Sequence, residues 1–246
     1  MENTIEKKAF VESAFKAGAH YGYARTRRHP SVKPYIFGAK NNTEIIDLEK
    51  SFDLFETAMA FVRKLGSEGK QIVFVGNKTE AKQIVHEGAA KIGMPVTLDR
   101  WIGGTLTNFP EIKKRIARLE DLRQKRATGA LNVYTKKERI NFDKDIAKLE
   151  RFFGGMTELK GLPAAMFVVD PRKEHTALRE ALRMNVPVIA LAGSDCDITL
   201  LTYPLVANDA ARSSITFVVN EIVRAYEEGK RMIPTVENTV PPSAIV

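Results

Sequence analysis

Two short apolar runs, each followed by a helix-length polar stretch and a second apolar run, constrain this chain more than any other feature. Residues 71–76 read QIVFVG and lead through a polar segment to MPVTL; residues 164–169 read AAMFVV and lead through DPRKEHTALREALRMN to VPVIALAG. Runs this short and this rich in β-branched residues fit strands buried on both faces, and a helix-length crossover between two of them makes a βαβ unit. The spacing from Phe74 to Pro95 nearly equals that from Phe167 to Pro187. Two such halves predict an α/β fold with a parallel, doubly wound sheet. Upstream, YIFGAKNNTEIIDL sets two apolar runs around Gly-Ala-Lys-Asn-Asn, which predicts a small antiparallel hairpin. Residues 208–229 predict a closing helix.

Between the halves lies material that no βαβ unit needs. Ile112, Ile116, Leu119 and Leu122 form one apolar stripe at helical spacing, and Phe142, Ile146, Leu149 and Phe153 form another. Charged residues fill the remaining faces, and ATGALNVYTKK separates the two segments. The pattern predicts an antiparallel, coiled-coil-like helical hairpin over 109–154, inserted into a discontinuous α/β domain made of 1–108 and 155–230. The tail over 231–246, with three prolines and no period, reads as a flexible extension.

Enzymatic readings meet missing parts. A doubly wound sheet places ligands beyond its strand C-termini, yet VGNKTEAK carries one glycine, and the chain contains neither G-x-G-x-x-G nor G-x-x-x-x-G-K-[ST]. Gly76 and Asn77 read as the turn from strand to helix. Asp170 stands where carboxylates often do chemistry, but Pro171 follows it, and Asp-Pro reads first as a helix start. His20, His29, His86 and His175 stand in no ligand spacing, Cys196 is the single cysteine, and AGSDC is no nucleophile elbow. No metal, cofactor or catalytic residue is expected. A lone cysteine, no signal-like N-terminus and no apolar run of membrane-spanning length predict a cytoplasmic protein.

Charge points to a polyanion. The chain has 38 Lys+Arg against 30 Asp+Glu, a net charge of +8, compatible with nucleic acid and with an ordinary soluble protein. Its placement is more telling. In ARTRRHPSVKP, Arg25, Arg27, Arg28 and Lys33 have no acid among them; Tyr21, Tyr23 and His29 lie alongside, and Pro30 and Pro34 are expected to keep the segment extended. Guanidinium forks bind phosphates and aromatic rings stack on unpaired bases, which makes these cations RNA-contact candidates. In DRWIGGTLTNFPEIKKR the glycine pair, threonines and asparagine could cradle an anion at a helix N-terminus. Gly103 and Gly104 equally permit a turn, and Thr107 or Asn108 equally caps a helix with Pro110 in its first turn. Residues 111–126 then hold seven cations against three acids, so Arg100, Lys113, Lys114 and Arg115 join the RNA candidates, with a solvated face as the competing reading. Trp101 reads as a packing anchor.

KPYIFGAKNNTEIIDLEKS, IVFVGNKTEAK, RWIGGTLTNF and FVVDPRKEH, in this order and over about Phe10 to Gly229, resemble the bacterial family of small ribosomal subunit protein two. The resemblance implies a Rossmann-like or flavodoxin-like α/β domain carrying a coiled-coil hairpin and no enzymatic activity. It also implies a structural role in the small ribosomal subunit on that subunit's RNA, beside neighbouring subunit proteins including the large mRNA-binding one. The alternative is a cytoplasmic nucleotide-binding α/β enzyme. Two stretches depart from the family pattern. GAHYGY puts Tyr23 where the family has a second histidine, and DITLLTYPLVANDAA lacks the family's glycines, leaving the conformation of 197–212 open.

Overall fold

A computed structural model describes residues 2–232. In chain order its elements are α1 (Glu2–Lys16), β1 (Tyr21–Ala24), β2 (Ile36–Lys40), β3 (Thr43–Ile46), α2 (Leu48–Ser67), β4 (Ile72–Val75), α3 (Thr79–Lys91), β5 (Val96–Thr97), α4 (Phe109–Ala127), α5 (Lys136–Phe153), β6 (Ala165–Val169), α6 (His175–Arg183), β7 (Val188–Ala192), β8 (Tyr203–Val206) and α7 (Arg212–Arg231). Five strands form an all-parallel sheet in the order β5-β4-β6-β7-β8. Numbered within the sheet this is 2-1-3-4-5, the flavodoxin-like winding, with its switch point between β4 and β6. The tail expected over 231–246 falls, beyond Met232, outside the described residues.

Strand alternation divides the core in two. Ile72, Phe74, Phe167, Val169, Ile189 and Leu191 point to the face covered by α1, α2, α3 and α7. Val73, Val75, Met166, Val168, Val188 and Ala190 point to the face shared by α6, Trp101, Leu106 and the stripes of α4 and α5. Every residue of β4, β6 and β7 is buried, which is why those strands read as continuous apolar runs rather than alternating ones. On α4 the buried residues are Ile112, Ile116, Leu119 and Leu122; on α5 they are Ile146, Leu149 and Phe153, with Phe142 partly covered. Ile112, near the start of α4, and Phe153, at the end of α5, line one cleft, so the second helix returns to where the first began. Thr135 starts α5 with a reciprocal capping box to Glu138.

The three-stranded antiparallel sheet has the order β1-β3-β2. Its β2–β3 turn is Asn41–Asn42, both left-handed at φ 49° and 63°, the pair of positive φ values that a two-residue hairpin turn needs and that asparagine tolerates best among non-glycines. Two local expectations are corrected and one open stretch is now described. Residues 24–34 are not extended throughout: Arg25–Arg27 and Pro30–Tyr35 are 3-10 turns, the second capped by His29 through Ser31 N–H, and only Ala24, Arg28 and His29 keep extended backbone. Proline fixes only φ, at a value that 3-10 turns and extended chain share. Residues 197–212, whose conformation the sequence left open, contain edge strand β8; Pro204 is tolerated there since an edge strand has one side free of hydrogen-bonding duty. At the start of α4, Asn108 occupies the cap position but its side chain makes no cap bond.

Candidate nucleic-acid interface

Doubly wound sheets bind ligands in the crevice beyond the switch point, and here the chain's own side chains fill it. Lys78, just after β4, is 8 % exposed. Its ammonium donates to Asp209 Oδ2 at 2.9 Å, to Asp170 Oδ2 at 3.2 Å and to the Tyr23 hydroxyl at 3.2 Å. Burial alone would lower the Lys78 pKa, but the charges of Asp209 and Asp170 overcome it and raise it. The Tyr23 hydroxyl is pushed up to about 12 by burial and by Asp209. Asp170, expected to start a helix, accepts from Lys173 N–H at 3.2 Å in the turn before α6 while its other oxygen holds Lys78. A Cβ at Gly193 would lie 2.5 Å from Asp209 Oδ1 and 2.9 Å from the Tyr23 ring; the packing leaves no room for even a methyl group.

The glycine pair of RWIGGTLTNF does make an anion cradle, and the anion is internal. Glu180 of α6, 7 % exposed, accepts from Gly104 N–H at 2.7 Å, Leu106 N–H at 2.9 Å, Thr107 N–H at 3.3 Å and Trp101 Nε1–H at 3.3 Å. Converging N–H groups stabilise a carboxylate as they would a phosphate. Gly104, at φ 92°, supplies the backbone that an L side chain would strain. Trp101 is 3 % exposed, the packing anchor its sequence setting indicated.

The basic segment divides between buried and exposed cations. The Arg28 guanidinium donates at 3.0 Å to Glu44, whose side chain is 1 % exposed. Arg27 donates at 3.1 Å to Asp195, which also takes Arg172 at 2.6 Å, and its guanidinium lies 4.4 Å from the centre of the Tyr23 ring. Tyr23 is thereby half-buried, with Arg27 already over its ring and Lys78 on its hydroxyl. Tyr21 is exposed and packs at 4.1 Å on His20. His29 is held by Ser31 at 2.7 Å. Arg25 and Lys33 are exposed and enter no ion pair among the described residues, as do Arg100, Lys113 and Arg115; Lys114 pairs with Glu111 at 2.6 Å. The residues that sequence reasoning missed are Lys78, Asp209, Asp195, Arg172 and Glu180. Their partners lie from 23 to 168 positions away in the chain, so no local pattern marks them.

No helix among the described residues is long and apolar enough to cross a membrane. The family model described as Ribosomal protein S2 matches residues 15–229, a span that takes in the basic segment, both βαβ halves and the α4–α5 hairpin. A curated relative, small ribosomal subunit protein uS2 of a Nitratiruptor species, is 40 % identical over 222 residues, covering 90 % of this chain and 83 % of the relative.

Proposed function

This chain belongs to the ribosomal protein S2 family, and from that premise we propose that it is a non-enzymatic structural constituent of the small ribosomal subunit, held there by small-subunit ribosomal RNA and so acting in translation. The observation that carries the reading is the family match itself, because over residues 15–229 it runs through both sheets, the hairpin and every helix after α1 except the last residues of α7. The filled crevice at the switch point supports it, since the place where a doubly wound enzyme would hold a nucleotide is taken by Lys78, Tyr23 and two aspartates. In this reading the protein resides on cytoplasmic ribosomes, beside neighbouring subunit proteins and the large mRNA-binding one. Arg25, Lys33, Arg100, Lys113 and Arg115 meet phosphate directly. Arg27, with a side chain 54 % exposed, adds to that contact, while Arg28 and Lys114 act first as ion-pair partners. The hairpin over 109–154 is a subdomain inserted into the discontinuous α/β unit.

Sedimentation tests the reading. Tagged protein is expected to travel with small subunits through a sucrose gradient, and equilibrium dialysis with ATP, GTP and NAD is expected to find no site tighter than about millimolar, roughly −4 kcal/mol. Protein that stays at the top of the gradient and binds a nucleotide saturably at micromolar concentration overturns it.

A further inference from the structure

We infer that Arg115, Lys148, Arg179 and Arg183, which bracket the Gly103–Gly104 turn at the base of the hairpin, form a binding surface for the phosphate backbone of double-helical RNA. The inference rests on the ribosomal reading and assigns part of its RNA contact to a surface that includes three residues outside the basic stretches of the sequence. Two clefts meet at Gly104: Arg115 of α4 and Lys148 of α5 line the first, Arg179 and Arg183 of α6 line the second. All four side chains are exposed, and none enters an ion pair among the described residues. Arg179 and Arg183 stand four apart on one face of α6, so their heads project side by side.

The acids near these clefts are already answered. Glu180 lines the second cleft, but its oxygens take the N–H groups of Gly104, Leu106 and Thr107 and the Trp101 indole. Glu111 lines the first and is held by Lys114 at 2.6 Å. With four cations against Glu111 and Glu180, and Lys114 beside Glu111, the two clefts keep a net positive field toward solvent. The floor is open as well: a Cβ at Gly103 would meet only Glu180 Oε1, at 3.9 Å, and the Asn108 side chain lines the first cleft with no cap bond to hold it. Backbone recognition follows from what is missing, because reading unpaired bases needs stacking rings. Of the two rings that line the first cleft, Phe153 is buried and Phe152 is half-buried with the Arg151 guanidinium 5.5 Å from its centre, while the exposed rings Phe15, Tyr21, Phe37, Tyr134, His86 and His175 line neither cleft.

The test measures affinity of the full chain for purified small-subunit ribosomal RNA across a salt series. The variant R115A/K148A/R179A/R183A is compared with K8A/K16A/K64A/K91A, which removes the same charge from exposed positions on α1, α2 and α3. Each lost phosphate contact should flatten the log K against log salt slope by roughly 0.7 to 0.9, so the first variant should lose about 3 in slope and at least about tenfold in affinity at physiological salt. The control variant should stay near the parent. Equal losses in both variants, or a parent-like slope in the first while the parent binds, overturn the inference and leave the ribosomal reading standing. A parent that neither binds this RNA nor sediments with small subunits overturns the reading itself, and the inference with it. Should the quadruple variant fail to fold, R179A/R183A alone must remove about half of that slope change; a parent-like slope there overturns the assignment.

Discussion

At the C-terminal edge of the parallel sheet and at the base of the hairpin the chain places the same kind of side chain in opposite states. At the edge, Lys78, Arg27, Arg28 and Arg172 all end on buried or nearly buried carboxylates. At the base, Arg115, Lys148, Arg179 and Arg183 face solvent and enter no ion pair among the described residues. A cation paired with a buried carboxylate is fixed, because removing it strands that carboxylate in low dielectric, whereas an unpaired exposed one is held by nothing and is free to meet a phosphate. Sequence charge density does not separate the two. Burial of the opposing acid does.

The largest effect tests whether the base is a platform of its own. Ile116 and Ile146 are 6 % and 1 % exposed, so replacing both with Asp buries two unpaired charges at several kcal/mol each. Hydrogen exchange should lose protection over 109–154 while β4, β6 and β7 stay protected. The stripes adjoin Trp101, Leu106 and the second face of the sheet, so equal loss in the strands would mean one core and no separate subdomain.

Next in size is Lys78→Met, which leaves Asp170 and Asp209 facing each other without a cation at a position where Asp209 is 1 % exposed. Breaking a buried pair from one side costs about 3–5 kcal/mol, to be read from the denaturant midpoint. A cost below about 1 kcal/mol would show that the edge is hydrated and its cations are no more committed than those at the base. Glu180→Ala should follow at about 3 kcal/mol, since Leu106 N–H and the Trp101 indole lose their acceptor inside the protein. Millimolar phosphate should raise the melting temperature of that variant more than the parent's, because the emptied cradle can accept an external anion. Equal response in both proteins would mean that the cradle collapses without its carboxylate.

How much of this was legible beforehand follows range of interaction. The fully buried strands β4, β6 and β7, the hairpin stripes and the Asn-Asn turn depend on neighbours a few residues away, and periodicity reports them directly. Strand β8 is an edge strand interrupted by Pro204, so it carries neither a long apolar run nor a clean alternation. The state of each arginine was illegible for a different reason: Arg28 finds Glu44 through the small sheet and Arg27 finds Asp195 across 168 positions. The cradle in RWIGGTLTNF was visible as chemistry, but the anion came from α6, which the segment itself cannot announce.

A pH dependence of comparable size is expected at Glu174. Glu174 is 4 % exposed, its Oε1 has no partner among the described residues, and burial pushes its carboxyl up to about 7 against the bonds from Asn77. Unfolded, it titrates near the usual value of about 4.3. Between those values the folded state binds the extra proton, so stability falls as pH rises through the window and the loss is complete above the folded value. Glu174→Gln should therefore melt higher than the parent at pH 8, with the gap closing toward pH 5. A gap independent of pH would place Glu174 in water and the edge of the sheet with it.

The smallest effects sort the four cations of the basic segment. Arg25 and Lys33 are exposed and lack ion pairs among the described residues, so Arg25→Ala and Lys33→Ala should leave unfolding within about 0.5 kcal/mol of the parent. Each should instead flatten the salt slope of binding to small-subunit RNA by roughly 0.7 to 0.9, since a phosphate contact acts through counterion release. Arg28→Ala should do the reverse, because Glu44 already has one oxygen without a partner among the described residues and loses the cation on the other. Its cost should appear in the unfolding midpoint, with the salt slope unchanged. Arg27 lies between, half exposed yet paired, and its alanine variant should move both readouts by less than either extreme. If Arg28→Ala flattens the slope as much as Arg25→Ala does, the Arg28–Glu44 bond opens on binding and burial of the acid no longer decides which cations are free.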